Sequence, residues 1–353
     1  MIKILHSADW HLDSPLQLRD PQAARTLRTA LAAIPEQLVA LCKKEKCDMM
    51  LLSGDLFDGA ASRDTVLKLC ATLENAEVPV FIAPGNHDFV GLESHWLSAP
   101  WPANVHIFTH PMMESVDVKD LDCCVYGAGF ISMDCDGLLA DFHPTHTEKY
   151  AVGVLHGDPT NVNSDYCPIT AEQVKHSGLD YLALGHIHKG DSFRAGKTLC
   201  AWPGCPMGRG YDETGEKGAL IVTLDQTAEI RFVPLETPRF YDLEMDAAAP
   251  LSGILPPVGN SDFYRITFTG TSEPLDLSAM KQQFPQFPNL LLRDRTTPPV
   301  DVWGTAGEDT LEGMYFKKLQ TALETDDADK KRQVSLAAFL SRQILDGQEV
   351  VLP

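Results

Sequence analysis

Five apolar runs, each stopping at a glycine or a small polar cluster, constrain this chain more than any other feature. They are IKILHS (2–7), DMMLLSGD (48–55), VPVFIAPGNHD (78–88), YAVGVLHGD (150–158) and DYLALGHIH (180–188). Apolar stretches of this length without polar alternation read as strands buried on both faces. Between the first three lie helical patterns: residues 22–45, where Leu27, Leu31, Ile34, Leu38 and Leu41 recur three or four apart, and residues 62–76. Alternating strand and helix predicts a layered α/β domain. In open α/β sheets ligands gather beyond the carboxyl ends of the strands, so the residues closing the five runs are predicted to converge.

Those residues carry chemistry. The first run is followed by Asp9 and His11, the second closes on Asp55 with Asp58 close behind, and the third delivers Asn86, His87 and Asp88. The fourth ends in His156, and the fifth in His186 and His188, which strand alternation would point to the same side. Carboxylate, amide oxygen and imidazole together suit Mn²⁺, Fe²⁺ or Zn²⁺ and disfavour Mg²⁺ or Ca²⁺, which prefer oxygen alone. No cysteine lies in the five loops, which speaks against a structural zinc site. Asp9, His11, Asp55, Asn86, His156, His186 and His188 are too many ligands for one ion and suit two sharing a carboxylate. Each motif alone has a bland reading as an ordinary turn or a solvated histidine. All five in order, each behind its own strand, argue against that reading.

After residue 190 the pattern changes to antiparallel strands and turns, then a loop-like stretch rich in proline and small residues (245–262). DFYRITFTG, LSAMKQQF and NLLLRD follow as strand, helix and strand, and two amphipathic helices are expected between 308 and 346. The organisation expected is 1–235 as the main domain, 238–303 as a small α+β domain, and 306–347 as a helical segment.

Composition limits partners more than it limits fold. The 353 residues are 44% hydrophobic and 22% charged, as in soluble globular proteins. No apolar run approaches the ~20 residues of a membrane helix, and the N-terminus enters a strand pattern at once, without the layout of a signal peptide. Nine cysteines, none in a CxxC, read as reduced thiols of a cytoplasmic protein. The net charge of −20 works against non-specific binding to nucleic acid.

The series DxH, GD, GNHD, H and GHxH resembles the calcineurin-like metallophosphoesterases throughout residues 1–235. HSADWHLDSPL, LLSGDLFD, PGNHD, WPANVHIF, LGHIHKG and WPGCPMGRGYDETGEKG are similar, more finely, to bacterial DNA-repair nucleases of the SbcD type and their shorter YhaO-like relatives. The resemblance implies a four-layer α-β-β-α sandwich with a small capping domain. It implies one ion held by Asp9, His11, Asp55 and His188, and a second by Asp55, Asn86, His156 and His186, with Asp55 bridging. His87 matches the histidine that contacts the scissile phosphate, and Asp58 stands where archaeal and eukaryotic relatives carry a histidine. Asp88 has no ligand place and is expected either to orient a histidine or to cap its loop.

The implied activity is exo- or endonucleolytic hydrolysis of DNA in repair, by hydroxide activated between two ions. The implied partners are DNA and an SbcC-like coiled-coil ATPase, docked on the apolar faces at 311–323 and 336–344 unless these pack on their own domain. A homodimer is left open, and no membrane is involved. The alternatives are a cyclic-nucleotide phosphodiesterase or protein phosphatase of the same fold, and a non-catalytic scaffold, whose mark would be missing ligands.

Overall fold

Each buried strand divides its side chains between two separate cores, which is why the runs are apolar without a break. In β1 (Ile2–Ser7) Ile4 joins one core and Leu5 another; in β2 (Met49–Leu52) Met49 and Leu51 alternate with Met50 and Leu52 in the same way. The computed structural model describes residues 1–347 except 17, 19, 146, 147, 249–258, 260 and 288. Most of the expected loop at 245–262 therefore lies outside the described residues.

The other strands of the two large sheets are β3 (Val80–Ile82), β4 (Val105–Ile107), β5 (Glu114–Val118), β6 (Cys123–Gly127), β7 (Tyr150–His156), β8 (Tyr181–Gly185), β9 (Lys189–Ala195), β10 (Thr198–Gly204), β11 (Gly218–Leu224) and β12 (Ala228–Pro234). One six-stranded sheet runs β12-β11-β1-β2-β3-β4 and the other β5-β6-β7-β8-β10-β9. Strands β1 to β4 are mutually parallel, as are β6, β7, β8 and β10, so the candidate loops leave the same end of each sheet. Of the antiparallel strands expected after residue 190, β11 pairs with β12, but β10 lies in the other sheet, parallel to β8 and antiparallel to β9.

Ile4, Met49, Leu51 and Phe81 of the first sheet share a core with Val152, Val154, Tyr181 and Ala183 of the second, so the sheets lie face to face. The outer face of the first sheet packs on the helices α1 (Pro21–Ala32), α2 (Ile34–Glu45) and α3 (Arg63–Glu74). After the short α4 (His95–Ser98), α5 (Ala171–His176) brings Val174 against Leu155, Leu182 and Leu184 on the outer face of the second sheet. The four layers are therefore α-β-β-α. The single helical pattern read at 22–45 is in fact two helices: Pro35 lies in the first turn of α2 and cannot supply the N–H that a continuous helix would need.

The chain divides into two compact units, Met1–Asp242 with Pro256–Arg265 and Pro285–Leu291, and Leu243–Leu255 with Ile266–Phe284 and Leu292–Pro353. Beyond β12 come β13 (Phe240–Asp246), β14 (Phe263–Thr269) and β15 (Asn289–Asp294) in a three-stranded sheet, with α6 (Leu277–Gln282) between the last two. The C-terminal helices are α7 (Leu311–Ala322) and α8 (Ala328–Leu345), joined through buried Phe316 and Ala338. Arg342 of α8 lies over the Phe316 ring at 4.3 Å and donates to Glu312 at 2.7 Å.

Candidate metal centre

The loop after β1 is laced to the loop after β2 by backbone hydrogen bonds: Asp9 N–H donates to Gly54 O, His11 N–H to Asp55 O and Leu12 N–H to Leu56 O. This sets Asp9 and His11 beside Asp55. The chain bends sharply here, for Asp9, His11, Asp55 and His186 all have positive φ, between 49° and 95°. Aspartate and histidine tolerate that region better than most residues, and such strain gathers at functional sites. Glycine is required alongside: a Cβ on Gly185 would collide with Ser53 O, and one on Gly85 with the Asp55 carboxylate.

Within this frame the side-chain nitrogens can be assigned. His156 Nδ1 lies 2.8 Å from Ser53 O, which only accepts, so Nδ1 carries a proton and, in the neutral ring that a metal requires, Nε2 has the lone pair. That lone pair meets Asn86 Oδ1 at 3.0 Å and Asp55 Oδ2 at 3.4 Å, both acceptors. His188 Nδ1 donates to Glu213 at 2.7 Å, leaving Nε2 as an acceptor 3.2 Å from His11 Nε2. Asp55 Oδ2 lies between the two groups, 3.8 Å from His11 Nε2. Asp9 Oδ1 accepts from His186 N–H at 2.9 Å, while the buried Oδ2 has no hydrogen-bond partner among the described residues. Lone pairs converging in a dry site repel one another unless a cation lies between them. The donor set fits divalent metal ions. Ligand atoms of Asp9, His11 and His188, and separately those of Asp9, Asp55 and His156, lie within 4.8 Å of one another.

His186 and His188 diverge. The strand ends at Gly185 and His186 takes φ 95°, so strand alternation does not apply to them. The His188 ring stands 5.1 Å from His11, whereas His186 stands 5.2 Å from His156 and 4.9 Å from Tyr166.

His87 lies at the exposed rim, its backbone N–H donating to Asp55 Oδ1 at 2.9 Å and its Nδ1 3.0 Å from Asp58 Oδ1. Asp58 Oδ1 is also 3.5 Å from His11 Nδ1, so one carboxylate faces both rings. Among the described residues the Asp88 carboxylate bonds no histidine and accepts from the N–H groups of Gly85, Leu56 and Phe57, clasping two loops together. Of its two expected roles, capping the loop is the one the bonding supports, because all three donors are backbone groups.

Electrostatics follow from burial and crowding. Burial opposes charge on Asp55, yet His156 and His11 outweigh it and hold its carboxyl below the usual range. Burial likewise opposes charge on His156, but Asp55 and Asp9 outweigh it and raise its pKa; for His188 the hydrogen bond to Glu213 does the same. His186 is lowered, by burial and by His156. The His11 ring holds Asp58 well below the carboxylate range, while burial and then the Asp55 charge push Asp88 up to about 7.

Sequence reasoning missed Glu213 and Arg209. Both lie within PMGRGYDETGEKG, a glycine-flanked charged stretch between two buried strands, and no spacing ties Glu213 to a histidine 25 positions earlier.

The fold and this cluster define a metallophosphoesterase. The family model of the calcineurin-like phosphoesterases matches residues 2–190, more than half of the chain, and the chain belongs to that family. Members bind two divalent metal ions and act as metal-dependent phosphoesterases. The chain is 31% identical over 235 residues to a Bacillus subtilis protein described as the uncharacterized metallophosphoesterase YhaO, covering 63% of this chain and 57% of that one. It is 23% identical over 261 residues to the SbcD component of the nuclease SbcCD from the same species (61% and 64%). It is 26% identical over 269 residues to the DNA double-strand break repair protein Mre11 of Aeropyrum pernix (70% and 64%). The match spans less than two thirds of each relative's own length.

Proposed function

We propose that this chain is a DNA phosphodiesterase of the SbcD kind, cleaving the backbone as an exo- or endonuclease in repair. The observation that carries the reading is the convergence of acceptor atoms from five loops, with His87 at the rim. Asp9, His11, Asp55 and His188 would hold one ion, and Asp55, Asn86, His156 and His186 the other. When bound, such ions activate water and neutralise charge on phosphoryl oxygens. Asp58 accepts from His87 Nδ1–H and leaves Nε2 for the substrate; with the ring protonated at both nitrogens, Nε2 gives its proton to the departing sugar oxygen and the ring returns to the neutral Nδ1–H form. Imidazoles outnumber carboxylates among the seven ligands, which favours Mn²⁺ over Mg²⁺.

The net charge of −20 is the observation that favours a smaller phosphoester, such as a cyclic nucleotide or a phosphoprotein side chain. DNA remains the better reading because a partner can supply the cationic surface. An SbcC-like coiled-coil ATPase fits that role. On the helical hairpin Leu311, Met314 and Ile344 are more than half exposed, an apolar face of the kind that docks a helix. We retain 1–235, 238–303 and 306–347 as phosphoesterase, capping and docking segments. The nine free thiols fit the cytoplasm, and no helix among the described residues is long and apolar enough to cross a membrane.

The test is a substrate panel. Protein stripped of metal and reloaded with Mn²⁺ is offered linear duplex, single strands, cyclic nucleotides and a phosphopeptide. Cleavage of DNA well above the others is expected, with Mn²⁺ restoring more activity than Mg²⁺. Preference for a cyclic nucleotide, or full activity in Mg²⁺ free of transition metals, would overturn the reading.

A further inference from the structure

The loop between β10 and β11 sends one buried carboxylate back to the cluster. Glu213 is 7% exposed, and both of its oxygens are engaged. Oε1 accepts from His188 Nδ1 at 2.7 Å and from Arg209 Nη2 at 3.0 Å, and Oε2 accepts from the Arg209 backbone N–H at 2.7 Å. The Arg209 guanidinium stands 3.3 Å from His188 Nδ1, so two donors face each other, and the carboxylate they share is what makes that approach tolerable. The His188 backbone is pinned as well, its carbonyl accepting from Lys217 Nζ and Cys205 N–H, both at 3.3 Å.

We propose that Glu213 is a positioning residue of the metal centre: it fixes the ring and tautomer of His188 and screens that ligand from the cation of Arg209. The proposal rests on His188 being a metal ligand. Two effects are combined in one side chain. The hydrogen bond holds the proton on Nδ1, so that Nε2 presents its lone pair. The negative charge makes the imidazole a better donor and cancels a guanidinium that would otherwise oppose a divalent ion. The arrangement is one-sided, since His156 is backed by the neutral carbonyl of Ser53. Loss of Glu213 should therefore weaken one ion and spare the other.

Variants separate the two effects. Glu213→Gln keeps an acceptor for His188 but loses the charge; Glu213→Ala loses both; Glu213→Gln with Arg209→Gln loses the carboxylate and the cation together. Each is titrated with Mn²⁺ by calorimetry, with elemental analysis for stoichiometry and circular dichroism of the metal-free protein for folding. The expected result is a 10- to 100-fold weaker affinity for one ion in Glu213→Ala, a smaller loss in Glu213→Gln, and partial recovery in the double variant. A merely structural residue would not be rescued by removing a second, partly buried side chain. Wild-type affinity for both ions in Glu213→Ala would overturn the positioning role, and a double variant weaker than Glu213→Gln would overturn the screening role. His188→Ala is the control: if it keeps both ions at full affinity, the ligand assignment beneath the proposal fails instead.

Discussion

In the proposed centre His87 stands beside the metal cluster without being one of its ligands. Asn86 turns into the site toward His156, while His87 stands at the rim against Asp58. His87→Ala is expected to retain both ions by elemental analysis. It should lose roughly 10²-fold or more on DNA, whose sugar oxygen needs a proton to leave, and little on bis(nitrophenyl) phosphate, whose leaving group does not. Equal losses on both would make His87 a charge-stabilising group. His6 makes a different demand. It is fully buried between the sheets, 2.7 Å from Tyr181 Oη and 2.9 Å from Ser53 Oγ, and burial lowers its pKa to about 3. In the unfolded chain it takes up a proton near pH 6.5, so between those values the unfolded state binds the proton and the native state does not. Its contribution to stability is lost as pH falls through that window, by roughly 2 kcal/mol between pH 6.5 and 5. Urea melts of metal-free protein should show a shallower pH slope for His6→Gln than for wild type; equal slopes would contradict this.

At the scale of elements, the glycines that close the strands matter as much as the ligands that follow them. Gly54 has φ 85°, and a Cβ there would stand 2.6 Å from His156 Nδ1. Gly54→Ala should fold yet bind metal weakly, with calorimetry reading the loss; normal affinity would show that the loop can relax. Parallel strands β1, β2, β3, β7 and β8 were legible because burial on two faces leaves an unbroken apolar run, and the candidate ligands because each follows such a run; β4, three partly exposed residues, and the short β6 were not read. The break at Pro35 was present in the sequence, but the leucine spacing continues across it and hid it. Glu213 was hidden for another reason: its partner is reached by tertiary packing, which local spacing does not encode. Strand β5 was missed because all its residues are partly or fully exposed and two of the five in its run, ESVDV, are charged. The C-terminal hairpin carries its own test. No candidate ligand lies beyond residue 306, so deleting from there onward should leave hydrolysis of small phosphodiesters intact and weaken binding to a coiled-coil ATPase. Wholesale unfolding on deletion would favour packing within the chain.

Over the whole molecule, charge and chemistry pull in opposite directions. An excess of twenty negative charges surrounds a centre built to attack an anion, so catalysis depends on the cations the cluster holds. Raised pKa values at His156 and His188 mean that protons compete for those positions, and metal affinity should fall as pH drops. In the proposed centre one carboxylate, Asp55, joins two ions. That bridging is tested most directly by elemental analysis of wild type and Asp55→Ala after equilibration with Mn²⁺, with circular dichroism to confirm folding. About two ions per chain are expected in the wild type and none tightly held in the variant. One ion still firmly bound in Asp55→Ala would contradict the bridging.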